Sequence, residues 1–286
     1  MRSLAASRVV VIGLGLMGGS LAGALRGRCR TVVGVARRSE TVDLARGRGL
    51  IDRGTTDVLS AVANADIVVF ATPVRIILRQ LPEVGPLLPD GCLVLDLGST
   101  KAQILEAMAA LPPHVEPLGG HPMCGRELSG IEAADVSLYR ERTFILSPLE
   151  RTSAEAIERG RELVSAVGAS PLLLDAARQD RLVATLSHLP YLLACSLVRT
   201  ADATTSPDPA AWEIVAGGYR DTSRVAGSDV TMMLDILVTN RDAVLAAASV
   251  FRDKLDELTR LLAAEDEPAL RDLLVASRTE RRRMFP

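Results

Sequence analysis

The run from Arg8 to Gly23, R-V-V-V-I-G-L-G-L-M-G-G-S-L-A-G, decides the fold. Val9 to Ile12 are four consecutive β-branched apolar residues, the composition of a buried strand, and they lead straight into Gly13-x-Gly15-x-x-Gly18. A helical pattern follows. Strand, glycine turn and helix in that order form a dinucleotide-binding turn. The first glycine permits the tight bend, the second lets backbone approach a pyrophosphate, and the third lets the helix pack closely on the strand. The helix start offers unpaired N–H groups and a positive dipole end to phosphate. A glycine pattern alone is a weak signal, and its strand-before, helix-after setting gives it weight. Gly13, Gly15, Leu16, Met17 and Gly18 are therefore the first candidate cofactor contacts.

Arg2 and Arg8 with the apolar run after them also resemble an export signal. Five glycines (13, 15, 18, 19 and 23) lie in that run, which is poor for an apolar helix, and the pattern beyond it continues the same fold. At 286 residues the chain has room for two domains. Hydrophobic content of 48 %, charge of 24 % and a net charge of −2 are those of a globular protein with no nucleic-acid or membrane partner. Cys29, Cys92, Cys124 and Cys195 stand far apart with no C-x-x-C spacing, so a reducing cytoplasm and no metal are expected. Lys101 and Lys254 are the only lysines among 33 basic residues.

Further along, 30–35 reads as a second β-branched strand ending in Ala36-Arg37-Arg38-Ser39. There, about 20 residues past the glycines, a dinucleotide fold meets the adenine ribose. An NAD site usually carries Asp or Glu at this point. Two arginines and a serine suit a 2′-phosphate, which guanidinium grips bidentately, so NADP is favoured, with NAD possible. Arg37 and Arg38 would serve equally as surface residues of an Arg-rich chain. Ser39 reads as the N-cap of a helix over 39–49. A short helix over 56–63, strands over 65–70, 92–96, 115–118, 143–146 and 171–174, and helices over 76–88, 102–111 and 152–167 follow. The alternation means a doubly wound, mainly parallel Rossmann-type sheet over 1–175. Beyond it only helical patterns occur, over 180–200, 210–216, 230–239, 241–263 and 268–282, so 176–286 is expected to be an all-α substrate and dimerisation domain.

Ligands in such a sheet lie beyond the carboxyl ends of the strands. Three segments fall there: Ala71-Thr72-Pro73, Gly98-Ser99-Thr100-Lys101 and Gly119-Gly120-His121-Pro122-Met123-Cys124-Gly125. His121 can act as general base for a hydroxyl proton as hydride leaves. A lone histidine is more often structural, but the glycines on both sides of it argue for a loop backbone shaped around a ligand. Ser99 is the natural partner to orient it and also a candidate helix N-cap. Thr72, Pro73 and Lys101 are candidate cofactor contacts, Lys101 through phosphate. Ser187-His188-Leu189-Pro190 interrupts an apolar helix. The segment Gly217 to Arg224 reads as a Gly-rich loop whose arginines, Arg220 and Arg224, suit an anionic substrate or an ion pair with Asp221 or Asp229.

Together these motifs resemble the prephenate and arogenate dehydrogenase family of tyrosine biosynthesis: G-L-G-L-M-G-G-S-L-A at 13–22, D-L-G-S-T-K at 96–101, G-G-H-P-M-C-G at 119–125, S-H-L-P at 187–190 and G-Y-R-D-T-S-R-V-A at 218–226. The resemblance implies oxidative decarboxylation, with hydride passing to NAD(P) and a carboxylate leaving as carbon dioxide to aromatise the ring. His121 matches the catalytic histidine, Ser99 the serine that orients it, Arg224 the arginine on a substrate carboxylate, and His188 a second histidine of the pocket. Homodimers through the helical domain are expected. Tyr191 stands where some prephenate-specific relatives carry a second histidine, and Met232-Met233 where some carry Trp. The Asp-Thr-Ser-Arg form of the loop resembles arogenate-using, NADP-linked members. A β-hydroxyacid dehydrogenase or imine reductase shares the glycine start, but the hydroxyacid group's catalytic lysine has no match between Lys101 and Lys254. A dehydrogenase of an amino-substituted prephenate and a non-catalytic dinucleotide sensor are the other readings.

Overall fold

The computed structural model describes residues 3–126, 128–206 and 208–285. The opening run forms strand β1 (Arg8–Ile12) and helix α1 (Leu16–Leu25). Then come β2 (Thr31–Val35), α2 (Ser39–Gly47), β3 (Arg53–Thr55), α3 (Val58–Val62), β4 (Ile67–Phe70), α4 (Val74–Val84), β5 (Leu93–Asp96) and α5 (Ala102–Ala109). They are followed by β6 (Glu116–Pro122), β7 (Thr143–Pro148), α6 (Ala154–Ala166) and β8 (Ser170–Leu173). The eight strands form one sheet in the order β3-β2-β1-β4-β5-β6-β7-β8, parallel except where β6 meets β7. The order reverses between β1 and β4, which is the topological switch point of a doubly wound fold. Val9 and Val11 face one core layer, and Val10 and Ile12 the other. The four-residue apolar run is thus a strand covered on both faces.

Two expected elements differ. β3, with the sequence Arg-Gly-Thr, has no apolar signature and exists because its backbone pairs with Val33 to Val35 of β2. The third site segment is also not a loop. β6 runs on through Gly119, Gly120, His121 and Pro122, because β7 supplies an antiparallel partner for each of them.

Helices take over after β8: α7 (Ala176–Val183), a π-helical turn (Ala184–His188), α8 (Leu189–Thr205), α9 (Gly217–Ser223), α10 (Val230–Thr239), α11 (Arg241–Ala263) and α12 (Glu267–Met284). The Gly217 to Arg224 segment is therefore helical, and of the expected 210–216 helix only residues 210–212 are helical, within the 3₁₀ turn Pro209–Trp212. The run Ala176–Thr205 is long and apolar enough by length and composition to cross a membrane, with 22 % of its apolar window buried. Its Asp180 and His188 side chains are nevertheless buried in polar contacts within the fold.

The chain divides into two compact units, Met1–Arg241 and Asp242–Pro286. In the first, α10 is tied to the α/β layers. Arg75 of α4 reaches Asp235 at 2.5 Å, and the Thr100 and Thr239 hydroxyls meet at 2.8 Å. The Thr239 hydroxyl donates to Asp235 O at 2.7 Å, so Thr100 is the donor of that pair. In the second unit, α12 buries no residue and leaves Leu274 and Val275 exposed.

Gly13 adopts φ +104°, a region that suits glycine, and an added Cβ at Gly18 would lie 1.9 Å from Gly13 O. Gly18→Ala is therefore expected to lower stability by about 1–3 kcal/mol in urea unfolding. An unchanged midpoint would show that α1 can withdraw from the turn at no cost.

Candidate active site

The cofactor end is built at the switch point. Gly15 is the N-cap of α1, makes no side-chain cap, and has open space where a Cβ would stand. That cradle fits a pyrophosphate against the free N–H groups of the first turn. Arg37 and Arg38 follow the buried Ala36 at the end of β2, and both are exposed. Neither has an ion pair or side-chain hydrogen bond among the described residues. Arg38, rather than Ser39, is the N-cap of α2, and Ser39 is its first residue. Pro73 caps α4, and the Thr72 hydroxyl donates to Gln80 at 2.8 Å.

The chemical end lies on β5 and β6. His121 is 8 % exposed, and its Nδ1 has no hydrogen-bond partner among the described residues. Burial, then the Lys101 charge and His188, hold its pKa down at about 3. Ser99 thus makes no bond to that nitrogen here. Nor does Ser99 cap α5, whose first N–H groups, from Lys101 and Ala102, donate to the Asp180 carboxylate at 2.8 Å each.

Lys101 corrects the sequence reading. It is wholly buried and ion-paired with the equally buried Asp96, so its ammonium is not available to a cofactor phosphate. Burial pushes the Asp96 carboxyl up and the Lys101 ammonium down, and their mutual attraction opposes both shifts. The glycines before His121 also have a different cause. A Cβ on Gly120 would lie 2.4 Å from Asp96 O, and one on Gly119 would lie 3.2 Å from Lys101 Cδ. Close packing on the Asp96 carbonyl, Phe144, Leu105 and the Ser147 carbonyl leaves no room for a side chain at either position.

His188 ends the π-helical turn at 1 % exposure. Its Nδ1 meets Asn240 Nδ2 at 3.2 Å, and the same amide donates to Asp180 O at 2.8 Å. An amide nitrogen only donates, so His188 Nδ1 accepts and its proton sits on Nε2. Burial lowers its pKa to about 4. Tyr191 lies one turn on, half-buried, its hydroxyl pushed up by burial and by Cys195. Arg220 and Arg224 are exposed on α9 and the turn after it, both of which pack on α8. Asp229 caps α10 through Met232 N. The sequence reading missed Asp96, Asp180 and Asn240 as partners. A cavity of about 760 Å³ lined by Arg30, Asp66, Cys92 and Arg159 lies at the opposite, amino ends of β2, β4 and β5.

This arrangement has known relatives. A family model for the nucleotide-binding domain of prephenate dehydrogenase matches residues 21–173, and one for its dimerization domain matches 175–276. The chain belongs to the prephenate dehydrogenase family. It is 32 % identical to the prephenate dehydrogenase of Lactococcus lactis over 267 residues, 92 % of this chain and 73 % of that protein. The arogenate dehydrogenase of Synechocystis superposes with a TM-score of 0.85 at 32 % identity, covering 97 % of this chain and 99 % of that one. The prephenate dehydrogenase of A. aeolicus, solved with hydroxyphenyl propionate and NAD+, gives 0.91 at 29 % identity, covering 99 % and 100 %. The chain is an oxidoreductase of this family with a nicotinamide cofactor.

Both imidazoles are neutral in the folded protein, whereas an unfolded histidine protonates near 6.5. The unfolded chain therefore binds more protons as pH falls. This share of stability is present above about pH 6.5 and lost on acidification towards the folded values. His121→Asn is expected to remove about 1.4 kcal/mol per pH unit from the slope of stability between about pH 4 and 6. Urea unfolding across that range measures it, and an unaltered slope would mean that His121 titrates normally.

Proposed function

We propose that the chain catalyses oxidative decarboxylation of arogenate in preference to prephenate, with NADP favoured over NAD, to give tyrosine or 4-hydroxyphenylpyruvate. The observation that carries this is the neutral, buried His121 ring with an unpartnered nitrogen at the carboxyl end of the sheet. Such a ring can accept the proton of the substrate's ring hydroxyl. A dicarboxylate beside it offsets the positive charge of Lys101 and so raises its basicity in the complex. The bound nicotinamide supplies the hydride acceptor. As hydride leaves the carbinol carbon, His121 takes the hydroxyl proton and a ketone forms. The ring carboxylate then departs as carbon dioxide, its bonding pair aromatises the ring, and His121 returns the proton to the phenolate oxygen. Protons balance, and aromatisation makes the step irreversible.

The other roles follow the family motifs. Ser99 orients the ring once substrate is bound. Arg224 holds a substrate carboxylate, and His188, Arg220 and Tyr191 line the pocket. Gly13, Gly15, Leu16, Met17, Gly18, Thr72 and Pro73 hold the dinucleotide, and Arg37, Arg38 and Ser39 hold its 2′-phosphate. The arogenate preference is supported by the Asp-Thr-Ser-Arg segment and by Tyr191 and Met232-Met233 at the departing positions. The region 176–286 supplies substrate contacts and a homodimer interface, for which the exposed apolar residues of α12 are suited. Four unpaired cysteines suit a reducing cytoplasm.

Initial rates with prephenate and arogenate, each with NAD and with NADP, test the assignment. Arogenate with NADP should be fastest, and a prephenate or NAD optimum would overturn that part. His121→Asn should lower kcat by a factor of about 100 to 10,000 with cofactor affinity kept, and near-normal turnover would remove it from the base role. Arg37→Ala with Arg38→Ala should weaken NADP selectively, and equal losses with both cofactors would sink the 2′-phosphate contact.

A further inference from the structure

Beside the two candidate catalytic residues sits the buried ion pair of Asp96 and Lys101. The Asp96 carboxylate accepts from Gly98 N through Oδ2 at 2.7 Å and from Gly120 N through Oδ1 at 2.9 Å. These are the residues immediately before Ser99 and His121. One rigid group thus grips both backbone segments on which the site stands. We propose that Asp96 and Lys101 are positioning residues of the reaction. The buried carboxylate sets Ser99 and His121 relative to one another, and the ammonium locks that carboxylate in place. This rests on the reading of His121 as the base.

Three observations support it. The packing at Gly98 admits no slack: a Cβ there would lie 2.9 Å from Asp96 Oδ2 and 3.4 Å from Lys101 Nζ. The anchoring also continues outward. Asp180 accepts from the backbone of Lys101 and Ala102, and its carbonyl accepts from the Asn240 amide that holds His188. The pair therefore links the mountings of both histidines. Finally, a purely structural role does not call for charge. Well-packed apolar residues often hold a core as well as a buried ion pair does, whereas an ionised carboxylate is suited to gripping two N–H groups at once.

The charged and titratable groups facing the His121 ring are Lys101, from the β5–α5 turn, and His188, from the end of the π-helical turn. Asp96 and Asp180 face Lys101 in turn. Lys101→Met therefore removes a cation beside the ring and leaves a carboxylate behind it. The chain holds three histidines, His114, His121 and His188, so their imidazole signals can be followed individually in histidine-labelled protein. Their assignment uses His114→Asn and His121→Asn. In Lys101→Met the His121 signal should titrate at least about one pH unit higher than in the parent. Its kcat should fall about 100-fold while affinity for the dinucleotide, read by the fluorescence of NADPH on binding, changes little. If Lys101→Met does not fold, the neutral pair Asp96→Asn with Lys101→Met decides. Its single amide oxygen can hold only one of the two N–H groups, so the same loss of kcat with retained NADP affinity is expected. A folded variant with a lower Tm but unchanged kcat and, for Lys101→Met, an unmoved His121 titration would overturn the proposal. An inactive His121→Asn alongside an unmoved titration would defeat the pair alone. A fully active His121→Asn would defeat the base assignment and leave the titration to judge whether the pair acts on the ring.

Discussion

A carboxylate and an ammonium, both wholly removed from water at Asp96 and Lys101, hold the carboxyl ends of β5 and β6 together. Taking two charges out of water costs several kcal/mol per ion, offset only by close pairing and by hydrogen bonds to the remaining lone pairs. Here the N–H groups of Gly98 and Gly120 supply those bonds. Burial accounts first for the low basicity of the free His121 ring, and the Lys101 charge acts in the same direction.

The same sheet that encloses the pair carries the cofactor turn. Parallel strands point their carboxyl ends the same way, so the glycine turn after β1 and the pair at the end of β5 open on one side of the sheet. Helix α1 faces that side with uncapped N–H groups, and His121 faces it from a strand rather than from a loop. Backbone pairing of His121 with Ile145 of β7 makes a stiffer mounting for a proton acceptor than a loop would. The helical segment is fastened to this scaffold through Arg75–Asp235, Thr100–Thr239 and the Asp180 cap, so the helices that carry His188 and α10 are held in register with α4 and α5.

Much of this was legible in the chain. The β-branched runs at 9–12, 31–35 and 67–70 and the apolar run at 92–95 became central strands because continuous apolar sequence of that length is stable only when covered on both faces. The glycine turn was legible because its backbone geometry is imposed locally, by Gly13 and Gly18 within one turn of helix. β3 was not, since Arg-Gly-Thr carries no pattern and takes its conformation from the edge of β2. His121 read as a loop residue because Gly-Gly-His-Pro has low strand propensity, and pairing with β7 overrode it. The Gly217 start of α9 read as a loop because Gly217 and Gly218 have low helix propensity.

The amino-acid sequence by itself determined the doubly wound fold, the cofactor turn and the set of motifs that place the chain in its family. Each of these is written in residues close together, through β-branched runs, glycine spacing or helical periodicity. Only the tertiary structure decided what Lys101 does, what caps α5 and what fixes the His188 tautomer. Asp180 lies 79 residues from Lys101, and Asn240 lies 52 from His188. Contacts across such separations leave no local pattern. They arise when packing brings two polar groups to a place without water, where each must find a partner. That requirement is why Lys101, an apparent phosphate ligand when read along the chain, is committed to Asp96 in the folded protein.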